Sequence, residues 1–164
     1  MSAALHDDVL ALAETRGPLI GLDLGTKTIG VAISDGLRLS ATALETVRRK
    51  KFTLDAERLA SLTTHRGVVA VVLGLPRNMD GSEGPRAQST RAFARNLGAH
   101  LALPIAFWDE RLSTVAAERA LLAADSSRKR RAEVIDAVAA AYILQGALDR
   151  LAAAHRSAQQ EDWR

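Results

Sequence analysis

The segment of residues 19–35 constrains the fold of this chain more than any other part of the sequence. Two short apolar runs, residues 19–24 and 29–33, flank four turn-forming residues, and this pattern predicts a β-hairpin. A single acidic residue, Asp23, interrupts the first run close to the turn. Because a buried charge is tolerated only when it is paired or binds a metal, we expect this carboxylate to have a special partner.

Three interpretations of the hairpin are compatible with its turn residues Gly25, Thr26 and Lys27. In the first, it is an ordinary hairpin whose Asp23 accepts hydrogen bonds from turn amides. In the second, Gly25 lets the backbone approach a phosphate that Thr26 and Lys27 contact. The hairpins of actin, the sugar kinases and the heat-shock ATPases do this and also carry Asp-x-Gly-Thr. In the third, Asp23 is the metal-binding aspartate that ends the first strand of a ribonuclease H-like nuclease.

The length of the chain argues against the second interpretation. With 164 residues and 48% hydrophobic content, residues 1–164 are predicted to form one globular domain. A two-domain ATPase of the actin type needs about twice this length. No apolar run reaches the roughly 20 residues that span a bilayer, and residues 1–16 contain three acidic side chains, unlike a signal peptide. We therefore expect a cytoplasmic protein that does not bind membranes.

The charge distribution indicates a nucleic-acid partner. The net charge is only +3, but the sequence pI is about 9.8, and basic residues gather at positions 48–51 and at Arg128, Lys129, Arg130 and Arg131. Such patches can neutralise backbone phosphates, although either patch alone is more typical of a solvated surface loop. The chain has no cysteine, so a metal would have only oxygen or histidine ligands.

The remaining segments predict an α/β fold. Residues 3–15 are expected to form a peripheral helix, and residues 155–164 a frayed tail. Between them, after the hairpin, the predicted elements are a strand at 40–47, a helix at 54–65, a strand at 68–73, a helix at 85–97, a strand at 104–108, a helix at 114–124 with Ser113 as its N-cap, a linker at 125–131 and a helix at 132–154. This order predicts a mixed sheet with helices on both faces.

Acidic residues occur at three places where a core does not require them: Asp23, the pair Asp109 and Glu110 after a predicted strand, and Asp136. Helical spacing places Asp136 on an apolar stripe with Ile143, so its side chain is expected to point inward. Carboxylates around a phosphate are the ligands that Mg²⁺ prefers. Because neighbouring strand residues face opposite ways, only one of Asp109 and Glu110 is expected to face Asp23, and the pattern alone leaves this choice open.

Four motifs in this order resemble those of the YqgF family, also called RuvX, of ribonuclease H-like proteins. They span about residues 18–150 and comprise Asp23-Leu24-Gly25-Thr26-Lys27 with Ile29-Gly30-Val31-Ala32, Gly74-Leu75-Pro76 with Asn78-Met79-Asp80-Gly81, Asp109-Glu110-Arg111-Leu112-Ser113-Thr114, and Asp136-Ala137-Val138-Ala139-Ala140 with Ile143-Leu144-Gln145. The resemblance implies a five-stranded mixed sheet of strand order 3-2-1-4-5 in which strand 2 is antiparallel.

The resemblance also implies a site of Asp23, Glu110 and Asp136 around one or two Mg²⁺ or Mn²⁺ ions, with Asp109 as the substitute for Glu110. Members of the family are described as nucleases that mature the 5′ end of pre-16S ribosomal RNA, and were earlier assigned as Holliday junction resolvases. The expected partner is structured RNA or branched DNA, bound by a monomer or a homodimer. Alternatives of another class are a non-catalytic nucleic-acid-binding module and an actin-like nucleotide binder.

Several basic and hydroxyl side chains are predicted to hold the phosphates of the substrate. They are Thr26, Lys27, Arg111, Arg128, Lys129, Arg130 and Arg131. For Lys27 and Arg111, a structural ion pair is an equally good interpretation of the sequence.

Overall fold

The computed structural model describes residues 4–113 and 128–163, with side chains from residue 134 onward in the last helix. In chain order the elements are β1 (Leu5–His6), a 3₁₀ helix (Val9–Leu12), β2 (Leu19–Leu24), β3 (Thr28–Ser34), β4 (Ala41–Arg48), α1 (Phe52–Arg66), β5 (Ala70–Leu75), α2 (Pro85–Leu101), β6 (Ile105–Asp109), a second 3₁₀ helix (Glu110–Leu112) and α3 (Arg128–Glu161). No helix in these described ranges has the length and apolar character needed to cross a bilayer.

The strands form one mixed sheet in the order β1-β6-β5-β2-β3-β4. The hairpin strands β2 and β3 are antiparallel, as are β3 and β4, whereas β5 pairs in parallel with both β2 and β6. The predicted strand order and the antiparallel second strand are therefore confirmed. A sixth strand was not predicted: β1 pairs in parallel with β6 at the edge of the sheet.

Two apolar cores lie on opposite faces of the sheet. Helices α1 and α2 cover one face, where they pack against Leu22, Leu73 and Phe107. Helix α3 covers the other face and packs against Val72 and Trp108. The alternation of side chains along each strand divides the residues between these two cores. The prediction of helices on both faces is therefore confirmed.

The predicted N-terminal helix at residues 3–15 is wrong. Leu5 and His6 form a strand with β6, and only Val9–Leu12 turn, as a 3₁₀ helix capped by the side chain of Asp8. Val9 and Leu12 are almost fully buried against α3, so the segment is not peripheral. The pairing partner of β1 lies about 100 residues away in the chain, so a helical periodicity over a few residues could not reveal it.

The predicted boundaries of the last helix are also wrong. Residues 128–131 were expected in a linker and residues 155–161 in a frayed tail, but α3 includes both segments. Arginine, alanine, glutamine and glutamate are good helix formers, so the sequence at both ends can continue the helix. The predicted helix at 114–124 and the rest of the linker lie outside the described residues. Ser113 ends the second 3₁₀ helix in an extended conformation.

Candidate active site

Asp23 lies in a row of residues that crosses the sheet on the face covered by α3. Gly30 is its direct partner on β3. On β5, Leu73 pairs with Leu22, so continuing the register by one residue places Gly74 beside Asp23. Gly74 pairs in turn with Trp108. Residues paired in register share a face, so Asp23 is the one carboxylate in this row and has a glycine on each side.

The glycine on the β3 side allows α3 to approach the sheet. A Cβ atom at position 30 would overlap the main-chain carbonyl oxygen of Asp136. The Asp136 carboxylate accepts a hydrogen bond of 2.5 Å from the hydroxyl of Thr28, which lies two residues before Gly30 on the same face. The predicted inward orientation of Asp136 agrees with this placement, because its main chain sits directly over the residue that pairs with Asp23.

The glycine on the β5 side accommodates the Glu110 carboxylate. A Cβ atom at position 74 would lie 2.7 Å from Oε1 of Glu110 and 2.6 Å from Cδ1 of Ile143. Glu110 begins the 3₁₀ helix that follows β6. Its side chain therefore crosses back over the sheet toward the position next to Asp23.

Asp109 has a different environment from its neighbour Glu110. Its carboxylate accepts hydrogen bonds from the Arg111 guanidinium, the shortest being 2.7 Å, and a further one from the Arg111 amide. The hydrogen bonds from Arg111 hold the pKa of Asp109 below its usual value. The geometry thus favours Glu110 over Asp109 as the companion of Asp23. It also gives Arg111 the ion-pair partner that the sequence left open.

The turn of the hairpin exposes two of the predicted phosphate ligands. Thr26 and Lys27 are both exposed. The main-chain carbonyl oxygens around them are fixed by Arg49, whose guanidinium donates to Gly25 O at 2.6 Å and whose amide donates to Lys27 O at 2.9 Å. The guanidinium also lies 5.8 Å from the centre of the Phe93 ring. Arg49 therefore braces the turn, a role that the sequence pattern did not predict.

The basic run at residues 128–131 was also predicted to bind phosphate. Its backbone forms the first turn of α3.

The donor chemistry of this region fits a hard divalent cation, since each of the candidate ligands is a carboxylate oxygen. Asp23 is only 3% exposed, and the glycines at positions 30 and 74 leave the space that Asp136 and Glu110 enter. No three acidic or histidine side chains in the described ranges are gathered closely enough to form a metal site. The three carboxylates therefore border one region, but they are not drawn together in a ready coordination shell.

Comparison with known proteins decides the family. The family model described as RuvX, Holliday junction resolvase, matches residues 17–150. The chain belongs to the RuvX family. A "Putative pre-16S rRNA nuclease" of Cereibacter sphaeroides is 73% identical over 145 residues, which cover 88% of this chain and 91% of that protein. A relative of the same name from Roseobacter denitrificans is 67% identical over 156 residues, covering 94% and 96% of the two chains.

Solved structures support the ribonuclease H-like fold of this RuvX protein. Thermus thermophilus RuvC in complex with a Holliday junction substrate matches with a TM-score of 0.52 and 13% identity, over 83% of this chain and 96% of that chain. At this identity the likeness concerns the fold alone. The predicted family, the ribonuclease H-like fold and the enzyme class of a nuclease are confirmed.

Sequence reasoning missed three positions that shape the RuvX site. Thr28 holds the Asp136 carboxylate, and Gly30 and Gly74 admit their neighbours. Both glycines stand inside apolar strands, where a glycine marks a close approach of another chain segment. This signal was available from the sequence, but it does not say which segment approaches.

Proposed function

We propose that this RuvX protein is a metal-dependent endonuclease that hydrolyses phosphodiester bonds during 5′-end maturation of pre-16S rRNA. The observation that carries the proposal is the row that crosses the sheet near the C-terminal end of β2, in which Asp23 lies between glycines that admit Asp136 and Glu110. The names of its relatives support the ribosomal RNA substrate. The whole chain acts as a single domain in the cytoplasm.

In this proposal, Asp23, Glu110 and Asp136 hold one or two Mg²⁺ or Mn²⁺ ions. When bound, such ions lower the pKa of water and neutralise charge on the phosphate. Asp23 would be the central ligand, because the main chain of Asp136 lies over the glycine on one side of it and the Glu110 carboxylate lies over the glycine on the other. The Glu110 carboxylate and the Asp136 carboxylate, which Thr28 holds, would complete the site, and their side chains would have to adjust because no coordination shell is preformed in the described residues.

The exposed turn would bind the phosphate backbone. Thr26 donates a hydroxyl and Lys27 supplies a cation next to the end of β2. The basic run at 128–131, at the start of α3, adds charge for the flanking strand. Arg111 is paired with Asp109, so its role would be structural. It would fix the chain segment that carries Glu110.

A cleavage assay with two substrates tests the function. The purified protein is incubated with Mg²⁺, with Mn²⁺ or with EDTA, on a pre-16S rRNA 5′ fragment and on a synthetic four-way DNA junction. We expect metal-dependent cleavage of the RNA, reduced at least about a hundredfold in Asp23→Asn, because a preorganised charge at the reacting phosphate is lost. Glu57→Gln, an exposed change on α1 across the sheet, is the matched control.

Each alternative has its own result in this assay. Undiminished cleavage by Asp23→Asn would exclude the assigned site. Cleavage of the junction by a two-fold dimer would favour a resolvase, which the description of the family model supports as the second candidate. Thermal stabilisation by nucleotides without any cleavage would identify a nucleotide binder.

A further inference from the structure

The loop between β5 and α2 presents an exposed methionine on a rigid turn. Met79 is 89% exposed. On either side of it, the amide of Asn78 donates to Ser82 O at 2.9 Å, and the amide and hydroxyl of Ser82 both donate to the Asp80 carboxylate. Gly81 has a φ of +89°, a conformation that favours glycine. The loop tip therefore has a defined shape.

The same loop is anchored to the candidate active site. The Arg111 guanidinium donates to Met79 O at 3.4 Å while it binds Asp109, and Arg111 directly follows Glu110. The end of the loop that leads into α2 is held by Glu83, which accepts hydrogen bonds of 2.5 and 2.8 Å from Arg91. The main chain of Met79 is thus tied to the residue that directly follows Glu110.

A single exposed apolar residue needs no explanation on most protein surfaces. Here two exposed apolar residues accompany Arg111, which is paired with Asp109 next to the candidate active site. One is Met79 on the loop, and the other is Leu112, which is 68% exposed and follows Arg111 in the chain. Thioether and isobutyl groups do not bind phosphate. They pack well against the flat face of a nucleobase, and proteins insert methionine and leucine side chains between base steps.

We infer that Met79 is a nucleobase contact that packs against a base next to the cleaved phosphodiester and separates it from its neighbour. This inference rests on the proposed nuclease function. It predicts that the enzyme prefers strands whose bases are unpaired or easily unstacked at the cleavage site over continuous duplex. Met79 would therefore determine substrate specificity without taking part in the chemical step.

A binding experiment measures the unstacking directly. Asp23→Asn protein, which is expected to bind without cleaving, is mixed with pre-16S rRNA fragments that carry 2-aminopurine at successive positions across the junction between the 5′ leader and the mature 16S sequence. We expect a rise in fluorescence at one position. Met79→Ala in the same background should abolish most of the rise, and Met79→Leu should retain it. Leu37→Ala is the control, because Leu37 is 81% exposed on the turn at the other end of the sheet.

A cleavage experiment tests the same contact by a double-mutant cycle. With the intact RNA, Met79→Ala should lower kcat/KM about tenfold, the scale of losing one base contact. With an abasic nucleotide at the 2-aminopurine position, Met79→Ala should have no further effect, because the base that it contacts is already absent.

The outcomes separate this inference from the proposed function. If the wild-type protein cleaves and Met79→Ala changes neither the fluorescence nor kcat/KM, the nuclease function stands and the base contact is refuted. If no RNA is cleaved but fluorescence still rises in a Met79-dependent way, Met79 contacts a base of the bound RNA, and the catalytic proposal is refuted together with the placement of that base beside a cleaved bond. If the protein neither binds nor cleaves the RNA, both are refuted. Thermal melting of each variant checks that the change at Met79 leaves folding intact, as its exposure predicts.

Discussion

Two glycines flank Asp23 in the same row of the sheet, but different kinds of atoms lie over them. Over Gly30 lies the main chain of α3, at the carbonyl of Asp136. Over Gly74 lie the ends of two side chains, the Glu110 carboxylate and the Ile143 methyl group. The approach to Asp23 is therefore made by the helix backbone on one side and by rotatable groups on the other.

This difference shows how the three carboxylates are positioned. The place of Asp136 depends on how α3 docks against the sheet, because its main chain is in contact with β3. The place of Glu110 depends on its own rotamer, which can adjust at a cost of about 1 kcal/mol. We expect the helix side of the site to be rigid and the Glu110 side to adjust when substrate and metal bind.

The largest effect is expected for Gly30→Ala. The added methyl group would overlap the backbone of α3, which cannot move without unpacking the core on that face. We expect a loss of about 3 kcal/mol or more in the free energy of unfolding and no measurable cleavage. Denaturant unfolding followed by the RNA assay measures both quantities.

Gly36→Ala is the control for this change, since a Cβ atom there has no neighbour within 4 Å. It should leave stability and cleavage within the error of the measurement. If Gly30→Ala were as stable as Gly36→Ala, the close docking of α3 over β3 would be incorrect.

Gly74→Ala should have a smaller effect on stability and a distinct effect on activity. Its methyl group would meet only side-chain ends, so we expect a loss of about 1 kcal/mol in the free energy of unfolding. The displaced Glu110 carboxylate should nevertheless lower kcat about a hundredfold, since a misplacement of about 1 Å costs this much. A stability loss equal to that of Gly30→Ala would remove the distinction between the two sides.

The sequence predicted those parts of the fold that leave local signals. The hairpin and β5 are short apolar runs and α1 carries helical periodicity, while Gly67 ends α1 and Pro85 begins α2. Residues 5–12 gave a false helical pattern, because two strand residues have no periodicity of their own and their partner is β6. Pairings over such distances are set by the assembled sheet.

The site could be predicted in its acidic residues but not in its contacts. The alternation of side chains along a strand predicted that only one of Asp109 and Glu110 faces Asp23, and in the structure the Glu110 carboxylate lies over Gly74. The hydrogen bond from Thr28 to Asp136 joins residues that lie 108 positions apart in the chain. No spacing rule reveals such a contact, since it depends on the docking of α3.

The smallest of the three effects on function is expected for Thr28→Val, which removes the hydroxyl that orients Asp136 and leaves α3 in place. We expect about 1 kcal/mol less stability, the usual net value of one hydrogen bond, and about tenfold weaker Mn²⁺ binding by calorimetry. Thr28→Ser should restore both, because it keeps the donor, and Thr42→Val removes an exposed hydroxyl from β4 as a control. Because the helix backbone already positions Asp136, the hydroxyl only sets the rotamer of its carboxylate. A loss in Thr28→Val as large as that in Gly30→Ala would instead show that the side-chain bond, and not the docked backbone, holds this half of the site.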